Sequence, residues 1–307
     1  MDFGAFPRTR AFDPSLAPIH PGSRVLLERE IPRAAADLPL FLGAPQWTIP
    51  GFCKSLEDYA EAWNAIELNT AFYRTATRAG AKTWADSTPE DFRFFVKLHQ
   101  ELSHEFSLWG DRRVIAERMR VFVEGWSGLG EKWGGSFLQL PPGLGPERIG
   151  LLEGWFSVWN EFAPGTPLFV EFRHEGWFAD RQLKREAARV LAAAKVGLVC
   201  TDTPGRRDAS HGTLTTSDLF VRFLGQSLES DAEPLAIDLE RLDPWIDRIE
   251  TLRVHGLQRA AFFLHTTDQF WVPRLTEVFT EKLRERGFAP GPWSRNKTPE
   301  PPQLSLF

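Results

Sequence analysis

The chain has 307 residues, 42% of them hydrophobic and 25% charged, with a net charge of −5. Aromatic residues make up 13% of it, which excludes a chain disordered throughout, and its length can bury a large core. It has no uncharged apolar run of about 18 residues to cross a bilayer, no apolar leader after Arg8 and Arg10, and too few cysteines (Cys53 and Cys200) for a disulfide framework, so a cytoplasmic protein is expected. Its negative balance argues against gripping DNA by bulk charge alone.

Residues 1–38 are rich in Pro and Arg and predict an irregular extension, with at most a short strand or helical turn over residues 25–31. From residue 39 to 287 short apolar runs alternate with amphipathic ones. The runs are 39–44, 65–69, 92–98, 135–140, 167–172, 197–200, 219–223 and 260–265, each the length of a strand buried on both faces. Ser55 opens a capping-box helix, Asp111 caps the next long one, and Pro146 suits the first turn of another. A helix is predicted over 180–195. Pro244 and Pro273 mark starts or kinks in the last two helices. The stretch 206–216 between the sixth and seventh runs reads as loop. Residues 288–307 are too Pro-rich for a helix or central strand and predict an extended tail.

Eight strands alternating with helices predict a single (β/α)8 TIM barrel, an α/β fold, with an N-terminal extension and a C-terminal tail. The rival open sheet wants a Gly-rich phosphate turn that residues 43–51 do not supply.

In such a barrel the C-terminal ends of the strands form the active site, and polar residues gather there. Glu67 and Asn69, followed by Tyr73, end the second run. Lys97 and His99 end the third, with Ser103 and His104 in the loop beyond. Gln139 ends the fourth. Glu171 ends the fifth, followed by Arg173, His174 and Trp177. Asp202, Arg222 and His265 follow on the sixth, seventh and eighth. So much buried charge is expensive without a function.

The stretches 65–74, 88–104, 137–142, 170–178 and 220–225 resemble the YecE-like family, a domain of unknown function with a TIM-barrel fold. The resemblance implies that Glu67, Asn69, Tyr73, Lys97, His104, Gln139, Glu171, Arg173, His174, Trp177, Asp202 and Arg222 line a common pocket. Two departures stand out: Leu224 precedes Gly225 where the family usually has histidine, and His265, Thr266 and Thr267 stand where it usually has asparagines.

The chain ends in Gln303-Leu304-Ser305-Leu306-Phe307, which resembles the peptide that docks bacterial replication and repair proteins onto the DNA sliding clamp. Leu306 and Phe307 would fill an apolar pocket while Gln303 hydrogen-bonds at its edge, on a semi-rigid Pro-rich spacer.

Three functions follow as expectations. The first is a hydrolase-type enzyme for a phosphate ester or nucleic-acid-derived substrate, recruited to the clamp for DNA maintenance. Glu171 or Glu67 would be its general base, Lys97, Arg173 and Arg222 would stabilise negative charge, and His104 or His174 would be the acid. Glu171, His174, His99, His104, Asp202 and His265 are ligand types for a divalent metal, a version the spacing does not favour. The second is a carbohydrate isomerase or glycoside hydrolase with Glu67 and Glu171 as paired carboxylates and Trp47 and Trp177 as stacking platforms. The third is a non-enzymatic binding module recruited by the tail. Asn69, Tyr73, Gln139, Asp202, Arg222 and His265 would contact substrate.

Overall fold

The computed structural model describes residues 13–30, 38–105, 107, 109–228 and 236–291. The tail motif Gln303 to Phe307 lies outside the described residues.

Eight parallel strands, β1 (Leu40–Gly43), β2 (Ala65–Leu68), β3 (Arg93–Lys97), β4 (Trp133–Gln139), β5 (Leu168–Glu171), β6 (Gly197–Asp202), β7 (Asp218–Leu224) and β8 (Arg259–His265), run in ring order from β2 to β8 with β1 beyond β8. Each falls on one of the eight apolar runs. The helices are α1 (Pro21–Glu30), α2 (Leu56–Ala60), α3 (Arg78–Asp86), α4 (Gln100–Ser103), α5 (Arg112–Trp126), α6 (Ile149–Phe162), α7 (Arg185–Ala193), α8 (Ala236–Glu240), α9 (Leu242–His255) and α10 (Val272–Glu285). This is a (β/α)8 barrel.

The helix signals act locally as their chemistry requires. Ser55 accepts from the Asp58 N–H, and Asp111 accepts from the Arg113 and Val114 N–H groups, so each caps its helix. Pro146 opens a 3-10 turn that leads into α6. Pro273 sits in the first turn of α10, and Pro244 is the third residue of α9. The helix expected from residue 180 starts later, at Arg185. Asp180 and Arg181 take left-handed backbone conformations (φ 49° and 57°) and turn a two-stranded hairpin of Phe178–Ala179 and Gln182–Leu183.

The ring closes at β1 and β2 largely through side chains. The Glu67 N–H donates to the Ala44 carbonyl at 3.1 Å. The buried Tyr59 hydroxyl accepts from the Ala44 N–H at 2.7 Å and donates to the Ala65 carbonyl at 2.8 Å. Asn64 accepts from the Leu42 N–H and donates to the Leu40 carbonyl, both at 2.8 Å. Gly43 permits this approach, since a Cβ there would lie 2.3 Å from the Ala65 oxygen.

No helix links β6 to β7 among the described residues, as the loop expected over 206–216 implies. The described part of the extension, residues 13–30, covers that gap, and within it residues 21–30 form α1. The His20 N–H donates to the Gly212 carbonyl at 2.9 Å. The Ser23 hydroxyl accepts from the Leu214 N–H at 2.8 Å. Leu27 is fully buried, Arg248 reaches the Ala17 carbonyl, and Glu28 meets His255 of α9 at 2.9 Å. A Cβ on Gly212 would strike the Pro18 carbonyl at 1.8 Å.

Inside the ring, successive strand residues alternate between barrel interior and helix layer. One interior layer is Ala65, Phe95, Phe137, Phe169, Val199, Phe220 and Phe263, with Ala261 beside them. The Phe220 ring sits 5.0–5.5 Å from those of Phe95, Phe137, Phe169 and Phe263, so aromatic packing plugs the barrel.

Candidate functional site

Two residues beyond each of seven members of that plug, the alternation brings the next interior residue to the C-terminal mouth. Ala65, Phe95, Phe137, Phe169, Val199, Phe220 and Phe263 are followed in this way by Glu67, Lys97, Gln139, Glu171, Thr201, Arg222 and His265. One more such step, past the end of β5, adds Arg173. A polar layer therefore rests on a phenylalanine floor, with the Arg222 guanidinium 5.4 Å from the centre of the Phe137 ring.

Arg222 is the hub. Its Nε donates to Glu67 Oε2 at 3.0 Å, its Nη2 to Glu67 Oε1 at 2.9 Å, and its Nη1 to Glu171 Oε2 at 2.7 Å. Glu67 also accepts from Asn69 Nδ2 at 2.8 Å and lies 3.2 Å from His265 Nε2. Glu171 accepts from Gln139 Nε2 and the Thr201 hydroxyl, both at 2.8 Å, and pairs with Arg173 at 2.5 Å. Lys97 Nζ donates to Gln139 Oε1 at 2.9 Å. Both carboxylates are essentially inaccessible to solvent.

The ionisation pattern follows. Burial alone would raise both carboxyl groups. Arg222 and His265 outweigh it at Glu67, holding it well below the usual carboxylate range. Arg173 and Arg222 do the same at Glu171, down to about 2. Burial, reinforced by the Arg222 charge, pushes Lys97 down to about 8. Burial also lowers His265, against the pull of Glu67. With Glu67 ionised and able only to accept, His265 Nε2 carries the proton, which leaves Nδ1 as the basic nitrogen.

Above this layer opens a cavity of about 430 Å³. Lys97, Arg173 and Arg222 line it, together with Asn69, Gln139 and His265. Its walls are Phe72 and Tyr73 on one side and Leu224 to Gln226 with Thr266 and Thr267 on the other. Tyr73 stands 70% exposed at the rim. Glu67 and Glu171 lie beneath the lining, so the surface offered to a ligand is cationic.

Other expected site residues sit elsewhere. Asp202 follows the inward-facing Thr201 and so faces outward, where it accepts from Trp245 Nε1 at 2.7 Å and Arg241 Nε at 3.3 Å and pairs with Arg207. Its network steadies the rim: Arg241 also holds Asp238, whose Oδ2 accepts from the Gln226 N–H at 2.8 Å. Trp177 is buried, donates to the Leu144 carbonyl at 2.7 Å and packs on Phe172. His174 accepts from the Gly176 N–H at 2.9 Å and caps a short 3-10 turn. His104 sits behind the wall, edge-on to Phe72 and 2.9 Å from the Ser103 hydroxyl. His99 caps α4. Trp47 lines a neighbouring cavity of about 450 Å³ with Pro45, Pro50 and Leu68, which meets the basic one at Asn69. Thr201 and Phe72 belong to the site without having been expected there. The aromatic-x-polar pattern of β3, β4, β5, β7 and β8 carried a signal for Thr201, which stands two residues beyond Val199 in the same way.

Among the described residues no group of three or more His, Cys, Asp or Glu side chains is placed to hold a metal ion. Of the expected ligand types, Asp202, His174, His104 and His99 are engaged outside the polar layer, Glu171 is taken up by Arg173 and Arg222, and His265 lies against Glu67.

The model of a family described as protein of unknown function DUF72 matches residues 46–302. The chain is 28% identical over 270 residues to the UPF0759 protein YecE of Escherichia coli strain K12, covering 80% of this chain and 93% of that one. It is 23% identical over 189 residues to the UPF0759 protein YunF of Bacillus subtilis strain 168, covering 59% and 65%. Among solved structures, a DUF72 family protein of Enterococcus faecalis V583 aligns with a TM-score of 0.65 at 16% identity, over 80% of this chain and 95% of that one. Another, from Thermotoga maritima MSB8, aligns at 0.60 and 16% identity, over 80% and 99%. A barrel of matching topology and a family model spanning most of the sequence agree: the chain belongs to the DUF72 family.

Proposed function

We propose that the protein is an enzyme that takes a small anionic substrate, a phosphate ester or nucleic-acid-derived fragment, into the basic cavity and hydrolyses it. One observation carries this reading: Lys97, Arg173 and Arg222 line the cavity while Glu67 and Glu171, the carboxylates that pair with the two arginines, lie below it. An anion entering from solvent meets donors already held in place, which is how developing negative charge is stabilised without reorganisation. Glu67 and Glu171 then serve as positioning residues. His265, neutral and oriented by Glu67, is better placed than either as general base. A glycosidase needs a free pair of carboxyl groups, and the engagement of both with one guanidinium speaks against that alternative.

The terminal Gln303 to Phe307 supports recruitment to the sliding clamp, which would concentrate the enzyme at DNA without a basic surface.

Calorimetric titration with orthophosphate, combined with a panel of phosphomonoesters and diesters, tests the reading. Wild type should bind phosphate, and Arg173→Gln should bind it about tenfold or more weakly, the worth of one charge-assisted hydrogen bond. Absence of both binding and ester turnover would refute it. Equal clamp affinity with and without Phe307 would remove the tether.

A further inference from the structure

The three cations lining the cavity are not equivalent. Arg222 pairs with Glu67 and Glu171, and Arg173 pairs with Glu171. Lys97 has no carboxylate within ion-pair distance among the described residues. Its nitrogen has Gln139 Oε1 at 2.9 Å and the Phe72 ring face, 4.4 Å from the centroid. The residue is 4% exposed, and that remaining surface opens into the cavity.

Such a position suits an ammonium poorly. A buried charge needs a counter-charge, and here the neighbouring guanidinium repels it. An uncharged amine avoids that repulsion: Gln139 still accepts one of its hydrogens, and the lone pair is left for the cavity. Burial and Arg222 lower the pKa to about 8, so about a tenth of the molecules carry the free base at pH 7. Lysines desolvated beside another cation in this way are nucleophiles.

We propose that Lys97 is a covalent nucleophile that forms an imine with the aldehyde or ketone carbon of an anionic substrate, whose carboxylate or phosphate lies against Arg173 and Arg222. The inference rests on the anion-binding part of the proposed function and not on ester hydrolysis. The neutral Nζ adds its lone pair to the carbonyl carbon while the C=O π pair moves to oxygen, which takes a proton, giving a carbinolamine. The C–O bond then breaks, oxygen leaves as water with a second proton, and the nitrogen lone pair completes C=N. Counted from the ammonium, the two protons that nitrogen loses depart in the water, and the single positive charge stays on nitrogen as the iminium. Nothing is oxidised or reduced.

Borohydride trapping tests this. Full-length protein is incubated separately with pyruvate, dihydroxyacetone phosphate and neutral acetone, then reduced with borohydride, which adds hydride to the iminium carbon and fixes it as a secondary amine. Intact mass and peptide mapping locate the adduct. The expected result is one adduct per chain, at Lys97, with pyruvate if the cavity prefers a carboxylate or with dihydroxyacetone phosphate if it prefers a phosphate. Acetone should label at least tenfold less, orthophosphate should compete, and Lys97→Arg should abolish the adduct. Labelling should rise as pH passes through about 8. Mapping of the wild-type chain decides the matter even if the variant folds poorly. Binding of orthophosphate with no adduct at Lys97 from either anionic carbonyl would overturn the nucleophile and leave anion binding standing. Failure to bind orthophosphate as well would remove both.

Discussion

Replacing Arg222 by glutamine is the sharpest probe of the polar layer. The substitution removes a guanidinium that makes three short contacts, at 3.0 and 2.9 Å to Glu67 and 2.7 Å to Glu171. Glu171 keeps Arg173, Gln139 and Thr201, but among the described residues Glu67 is left with only Asn69 and His265. Breaking a buried pair by deleting one partner costs about 3–5 kcal/mol, because the other charge stays behind unpaired. Glu67→Gln, made in the Arg222→Gln background, removes that stranded charge and should recover part of the loss. Urea denaturation of wild type, both single variants and the double variant at pH 7 should therefore give a coupling energy of about 2 kcal/mol or more. The gap between wild type and Arg222→Gln should also depend on pH. Glu171 has its pKa depressed to about 2, so its ionisation supports the fold fully above the unfolded value of about 4.3 and loses that support as pH falls toward 2. The gap should narrow over that window. Additive variants, within about 0.5 kcal/mol, would refute the claim that Arg222 balances the buried carboxylate.

Two further outcomes follow. Tyr59→Phe should cost about 2–4 kcal/mol in urea denaturation, since the Ala44 N–H and Ala65 carbonyl at the β1–β2 seam lose their shared partner at roughly 1–3 kcal/mol for each buried unsatisfied group; a change below about 1 kcal/mol would mean that water replaces the hydroxyl. Lys97→Met should be more stable than wild type at pH 7, on the order of 2 kcal/mol, because the ammonium is disfavoured in its buried site. A depressed lysine pKa penalises the fold below about 8 and the penalty fades as pH rises toward the unfolded value of about 10.4, so the two stability curves should converge between those values; a constant offset would show that Lys97 is not perturbed.

The strands were legible because each is an apolar run bounded by turn residues. Most of the polar layer was legible because Phe95-x-Lys97, Phe137-x-Gln139, Phe169-x-Glu171 and Phe220-x-Arg222 break otherwise apolar text at the same relative place. What local pattern does not carry is pairing. Glu67 and Arg222 are 155 residues apart, and nothing in either neighbourhood says that one guanidinium will occupy both carboxylates and turn candidate bases into supports. Facing was misjudged where the count along a strand was one residue off: at β6 it is Thr201 that faces inward, while Asp202 serves the rim from outside. His174 and His99 have capping roles that their short turns decide after the strand has ended. The helix over 21–30 was legible only as a short strand or helical turn over 25–31, because its order comes from docking on α9 and the β6–β7 loop rather than from its own propensity.

That docking has a consequence for the order of assembly. Ser23 and Leu214 are separated by 191 residues, and Glu28 meets His255 across 227. A ribosome delivers α1 first, yet its seat does not exist until β6, the following loop and α9 have been made. α1 therefore waits for those later elements, although domains otherwise tend to organise from the N-terminus onward, and the closure entropy of these two contacts is met only once they exist. Residues 13–30 thus close the barrel as a latch on elements made after them.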